Sequence, residues 1–210
     1  MNKCELIIFD WSGVISDDRL PVYQANMKLL ESYGKPTFSF EKWLPETIAP
    51  AVSFARKFGI SDSDEKIAGA YQKYLDEIVD KGTRPTVLPG SEKTLSLLKE
   101  RNKKVALLSS HPTENLEKEI DEYNLRKYFD FVVGGVSDKI VNLQNICDEL
   151  AVPPMYSAYV GDMIADVITA KALGITSIAI TTGYHSKEVL EKENPDYLIE
   201  DISKIIEIIQ

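Results

Sequence analysis

Short apolar runs rich in Val, Ile and Leu recur at residues 5–9 (ELIIF), 104–109 (KVALLS), 129–134 (FDFVVG), 157–161 (SAYVG) and 176–180 (TSIAI). Their length suits strands, and runs that are apolar throughout suit strands buried on both faces. Between the later runs, residues 91–101, 113–123, 139–150 and 163–174 carry apolar positions at helical spacing. Strand and helix alternate from about residue 87 onward, which predicts an α/β fold with a doubly wound, parallel, five-stranded sheet. The region between the first two runs has no comparable strand. Its segments 21–34, 40–59 and 63–82 read as helices stopped by Gly34, Gly59 and Gly82, with N-cap candidates for the third in the stretch from Ser61 to Glu65. TRPTVLPG at 83–90 reads as an extended return to the sheet. The predicted organisation is a core of residues 1–15 and 86–210, interrupted by an α-helical insert over 16–85.

A chain of 210 residues suits one domain carrying a sizeable insertion. Hydrophobic and charged shares of 44% and 27% are those of a soluble globular protein, and no apolar run reaches the roughly 18 residues of a membrane helix. The opening MNKCELIIFDW lacks a cleavage site of small residues and reads as a strand rather than a signal segment, so a cytoplasmic location without membrane attachment is expected. Cys4 and Cys147 are too few for a disulfide framework or a zinc site, so both are expected as buried thiols. A net charge of −9 with no dominant Lys/Arg cluster excludes nucleic acid as a main partner, and an anionic small substrate would need a local positive site.

The polar residues just after the predicted strands supply such a site. Asp10 follows the first run, Ser109 and Ser110 the second, and Gly161-Asp162 the fourth, while Lys139 lies five residues beyond the third. In a parallel sheet these ends share one edge, where ligands bind in open α/β folds. Asp162 and Asp166 are four residues apart at a loop-to-helix junction and can face one side. With Asp10 they make three carboxylates near one point, which repel unless a cation sits among them. Hard oxygen donors in an incomplete shell suit Mg²⁺.

These motifs resemble those of the haloacid dehalogenase superfamily over essentially the whole chain. FDWSGVISDD resembles its first motif, VALLSS its second and Lys139 its third, although Ile140 stands where Pro is common. GDMIAD, within YVGDMIADVITAKALGI, is similar to the fourth and is the most specific of the set. VLPGSEKTLSLLKE further resembles the branch of phosphoglycolate phosphatase and β-phosphoglucomutase, in which a helical cap is inserted where residues 16–85 fall. The resemblance implies a Rossmann-type core and a phosphatase acting on a small phosphorylated metabolite. By position it makes Asp10 the nucleophile that forms an aspartyl phosphate. Mg²⁺ would be held by Asp10, the Ser12 backbone carbonyl, Asp162 and Asp166. Ser109, Ser110, Lys139 and Gly13 would meet the phosphate, and the cap would close over the site and select the substrate.

One position departs from the pattern. Ser12 stands where phosphatases of this superfamily carry a second aspartate that protonates the leaving oxygen and then activates water. A serine hydroxyl does neither near pH 7, and positioned acid–base catalysis is worth about 10²–10⁴-fold. Three readings stay open: a phosphatase in which another group takes this role, with His111 directly after VALLSS as a candidate; a phosphonoacetaldehyde hydrolase-like C–P hydrolase, whose DWAG motif DWSG resembles and whose Schiff-base lysine would be Lys42 or Lys57; or a slow or degenerate phosphate-binding member. Oligomeric state is not encoded in these motifs.

Overall fold

A computed structural model describes residues 4–48 and 50–209. The first three positions of the N-terminal reading lie outside the described residues, as does Ala49 in the second predicted insert helix. Strand β1 is Leu6–Phe9; the two-residue strands β2 (Ser16–Asp17) and β3 (Thr86–Val87) pair with each other. The remaining strands are β4 (Lys104–Leu108), β5 (Phe131–Val133), β6 (Ser157–Gly161), β7 (Thr176–Ile180) and β8 (Tyr197–Ile199). Apart from the β2–β3 pair they form one sheet in the order β5-β4-β1-β6-β7-β8, and every pairing in it is parallel. Among the described residues the sheet thus has six strands where five were predicted. The sixth, Tyr197–Ile199, is only three residues long, lies at the edge beside β7 and carries no run of Val, Ile and Leu to announce it.

Alternate side chains of the strands feed two separate cores. Ile7, Phe9, Val105, Leu107, Val160 and Ile178 pack with Leu95 and Leu98 of α5 (Ser91–Glu100) and with Leu116 and Ile120 of α6 (Thr113–Glu122). Leu6, Ile8, Ala106, Leu108 and Tyr159 pack with Leu143, Ile146 and Cys147 of α7 (Lys139–Glu149) and with Ala170 of α8 (Ile164–Ala172). Period-two alternation with both faces buried gives the unbroken apolar runs of the sequence. β1 lies between β4 and β6, with Phe9 opposite Leu107 on one side and Val160 on the other. The strand order therefore reverses at β1, and Asp10 leaves the sheet at this switch point.

The chain divides into two compact units, residues 1–16 with 87–210 and residues 17–86. The second contains α1 (Arg19–Ser32), α2 (Phe40–Trp43), α3 (Ala51–Lys57) and α4 (Asp64–Asp80). Segment 40–59 is not one helix: α2 runs into a 3₁₀ turn, Leu44–Glu46, that contains Pro45, and α3 begins only after Pro50. Proline lacks the N–H an inner turn needs, so each Pro begins a new element instead of continuing the old one. Gly34, Gly59 and Gly82 all have positive φ at the helix ends, and the following N–H groups of Lys35, Ile60 and Thr83 bond back to Leu30, Ala55 and Ile78. These are the left-handed stops that the sequence predicts. Ser63 caps α4 by accepting the Lys66 N–H at 3.4 Å. Lys57 donates to a Glu46 carboxylate oxygen at 2.5 Å. Cys4 and Cys147 are buried free thiols, and among the described residues no helix is long and apolar enough to cross a membrane.

Candidate active site

Asp10 follows β1 and is fixed by its own turn: its N–H donates to Val160 O at 2.9 Å, and its Oδ1 accepts the Trp11 N–H at 2.7 Å. Lys139 opens α7 behind its N-cap Asp138, and its Nζ reaches Asp10 Oδ2 at 2.6 Å and Asp166 Oδ1 at 2.7 Å. Asp166 lies in the first turn of α8, where Oδ2 accepts the Met163 N–H at 3.0 Å and Oδ1 also accepts the Tyr159 hydroxyl at 3.1 Å. One carboxylate thereby caps α8 and aims the lysine. Asp162, at the end of β6, accepts the Tyr184 N–H on Oδ2 at 2.6 Å.

Oxygen atoms of Asp10, Asp162 and Asp166 lie within 4.8 Å of one another, and all three residues are buried. Three carboxylates thus face one ammonium in a desolvated place, an unbalanced charge with a physical cost. Burial, aided by the charge of Asp166, raises the Asp10 carboxyl to about 6 despite the opposing pull of Lys139. Burial and the other two carboxylates push Asp162 well above the usual carboxylate range. Burial also works against the charge of Lys139, but Asp10 and Asp166 outweigh it and hold the ammonium well above its ordinary value. Tyr159 is raised by burial and by the same carboxylates, so it stays a neutral donor. A divalent cation would relieve the imbalance, and a set of hard oxygen donors is the kind Mg²⁺ takes.

Glycines clear the space. A Cβ on Gly13 (φ +74°) would lie 2.4 Å from Asp162 Oδ2, one on Gly161 would lie 2.3 Å from Asp166 Cβ, and one on Gly183 would lie 1.9 Å from Asp162 Oδ2. The turn after Asp10 is closed by the Gly13 N–H donating to Ser16 O at 2.7 Å, while Gly13 O accepts the Thr182 hydroxyl at 2.6 Å. Ser12 is half-buried in this turn and bridges to Ser16.

Of the sequence-predicted residues, Asp10, Asp162, Asp166 and Lys139 come together directly. Ser109 is buried at the end of β4, tied to Val133 O through its N–H at 2.9 Å, and its Oγ accepts the His111 N–H at 3.1 Å. Ser110 is exposed on the same loop. Thr182, Gly183 and Tyr184 were not anticipated. They follow the fifth predicted strand in TTGYH, and extending the strand-end reading to that run would have found them, although Gly183 and Tyr184 act through clearance and a backbone N–H rather than side-chain chemistry. Tyr159 was also missed, hidden inside an apolar strand.

Comparison with known proteins supplies the family. Residues 7–180 match the haloacid dehalogenase-like hydrolase family. A phosphoglycolate phosphatase from Pseudomonas syringae pv. tomato is 27% identical over 96% of this chain and 78% of its own length. Phosphoglycolate phosphatase 1 from Pseudomonas aeruginosa is 26% identical over the same shares, 96% and 78%. A haloacid dehalogenase-like family hydrolase from Streptococcus pneumoniae, SP0104, shares the fold with a TM-score of 0.85 over all of both chains at 18% identity. The chain belongs to the haloacid dehalogenase-like hydrolases and is a phosphohydrolase of their phosphoglycolate phosphatase-like branch.

Proposed function

We propose that the protein is a Mg²⁺-dependent phosphatase that hydrolyses a small phosphorylated metabolite through an aspartyl phosphate on Asp10. The observation that carries this reading is the meeting of Asp10, Asp162, Asp166 and Lys139 at the switch point of the sheet. Asp10, Asp162, Asp166 and the Ser12 carbonyl would hold the ion, which when bound supplies positive charge against the phosphoryl oxygens.

The protein's own groups do the rest. Asp10 is oriented by the Trp11 N–H and Lys139, and its carboxylate oxygen attacks phosphorus in line while the ester oxygen departs. Lys139 stays protonated and offsets charge on the nucleophile and the transferring group, held in place by Asp166. Ser109, Ser110 and the Gly13 backbone are assigned to the phosphoryl oxygens. Water then attacks the aspartyl phosphate and restores Asp10. The helical unit of residues 17–86 is assigned the role of a cap that selects the substrate, and phosphoglycolate heads the list of candidates because the matched Pseudomonas proteins are named for it.

The test is phosphate release from a panel of phosphorylated metabolites, phosphoglycolate first, with and without Mg²⁺. Turnover that requires Mg²⁺ and disappears in Asp10→Asn is expected. Equal turnover by wild type and Asp10→Asn would overturn the reading.

A further inference from the structure

We propose that His111, held by Glu119, performs the acid–base chemistry that Ser12 cannot; the inference rests on the phosphatase reading above. Three side chains from two segments meet at the Glu119 carboxylate on α6. Its Oε2 accepts the Trp11 indole N–H at 2.7 Å and the Ser16 hydroxyl at 3.3 Å, and its Oε1 lies 3.3 Å from His111 Nε2. Trp11 directly follows the nucleophile, Ser16 closes the turn that carries Ser12, and His111 follows Ser109 and Ser110.

The histidine is fixed at both ends. Its N–H donates to Ser109 Oγ at 3.1 Å and its carbonyl accepts the Gly135 N–H at 2.7 Å, while its side chain is 13% exposed against 15% for Glu119. Tyr123 stacks on Trp11 with ring centroids 5.6 Å apart, and its hydroxyl lies 3.2 Å from Ser16 Oγ, so the far side of the carboxylate is braced as well. From α6, the Glu119 carboxylate faces the ring.

The 3.3 Å approach of Glu119 Oε1 to Nε2 is an ion-pair distance without hydrogen-bond geometry, and a carboxylate so placed stabilises the imidazolium, the form from which histidine gives a proton near neutral pH. With Nε2 facing Glu119, Nδ1 is assigned as the exchanging atom. In the first step the Asp10–phosphorus bond forms, the phosphorus–ester oxygen bond breaks, and the imidazolium N–H at Nδ1 protonates the departing alkoxide. In the second, neutral Nδ1 takes a proton from water as the water oxygen bonds to phosphorus and the Asp10–phosphorus bond breaks. The imidazolium is thereby restored and inorganic phosphate leaves.

The test uses the full chain with Mg²⁺ and two esters, p-nitrophenyl phosphate with a good leaving group and glycerol phosphate with a poor one. His111→Asn is expected to lower turnover of the alkyl ester by about 10²–10³-fold and initial release of nitrophenol by less than about tenfold, with phosphorylated Asp10 accumulating by mass spectrometry. Glu119→Gln should move the histidine-dependent limb of the pH profile to lower pH, because the imidazolium loses its carboxylate. Ser12→Asp added to His111→Asn should restore alkyl ester turnover. The inference is overturned if folded His111→Asn keeps wild-type turnover, or if both esters lose the same factor with no rescue by Ser12→Asp. Should His111→Asn not fold, the pH limb of Glu119→Gln decides, and an unmoved limb overturns it. Wild type inert toward both esters and the metabolite panel would overturn the phosphatase reading and this inference with it; wild-type turnover lost in Asp10→Asn leaves that reading standing whatever His111 does.

Discussion

The surface ion pairs of the helical unit and the buried cluster of the sheet unit treat charge in opposite ways. In the helical unit, Lys28–Glu77 at 3.1 Å and Lys66–Asp62 at 3.2 Å lie at the surface, and Arg56–Asp64 and Lys57–Glu46 do likewise. Such pairs contribute about 0–1 kcal/mol each and can be lost with little consequence. In the sheet unit, Asp10, Asp162 and Asp166 are buried around Lys139, and the carboxyls of Asp10 and Asp162 are pushed upward, the sign of a charge held against its solvation preference. The surface pairs decorate a fold, whereas the buried cluster is kept at the fold's expense because the chemistry needs it.

The largest effect should come from removing that charge. Asp10→Asn deletes the nucleophile, so turnover should fall by at least about 10³-fold. The same change removes a buried negative charge, so metal-free Asp10→Asn should melt no lower than metal-free wild type at pH 7.5. A lost turnover accompanied by a large fall in Tm would show that Asp10 is structural and would erase the contrast between the units.

Space around the carboxylates should matter next. Gly183 has no positive φ, so only clearance from Asp162 constrains it, and the Cβ of Gly183→Ala would lie 1.9 Å from Asp162 Oδ2. Either the carboxylate or the loop must move, and the Mg²⁺ concentration for half-maximal activity should rise about 10–100-fold, as for other losses of ligand support. An unchanged Mg²⁺ requirement would remove Asp162 from the metal set.

What the sequence disclosed follows from which groups carry each feature. The five apolar runs were legible because strands buried on both faces need apolar side chains at every position, and Asp10, Asp162, Asp166 and Lys139 because their chemistry lies in their side chains. β8 was not legible: an edge strand of three residues has too little burial to impose a pattern. Segment 40–59 looked helical because its apolar spacing is helical, but Pro45 and Pro50 break it by removing donors, an effect periodicity does not register. Tyr184 contributes a backbone N–H, which every residue but proline has, so no side-chain motif points to it. Glu119 stands 108 positions from Trp11 and outside every motif, so only the folded sheet brings its link to Trp11 and His111 to view.

A smaller effect concerns pH. The Asp10 carboxyl is raised by burial to about 6 in the folded protein, above its unfolded value, so its contribution to stability is fully present below about pH 4 and is lost as pH rises through about 6. Asp162 is displaced in the same direction and by the same cause, burial, so it adds to the loss at higher pH. Mg²⁺ should restore the lost stability because it binds the ionised forms. The rise in Tm on adding Mg²⁺ should therefore be larger at pH 7.5 than at pH 5, as measured by thermal melts. Equal shifts at both pH values would mean that the ion does not bind these carboxylates.

The smallest effect should appear in the other unit and with the opposite sign. Gly69 lies inside α4, its backbone is not left-handed, and a Cβ there would meet nothing within 4 Å. Replacing a helix-interior glycine by alanine removes backbone freedom from the unfolded chain without adding strain to the folded one, which is worth about 0.5–1 kcal/mol. Gly69→Ala should raise Tm by about 2–4 °C and leave turnover unaltered. Paired with Gly183→Ala, the same one-carbon change strengthens the unit whose glycine only interrupts a helix and disables the unit whose glycine makes room for a carboxylate. If Gly69→Ala instead lowered turnover, the face of α4 that carries Gly69 would take part in substrate selection, and the contrast between the two glycines would not hold.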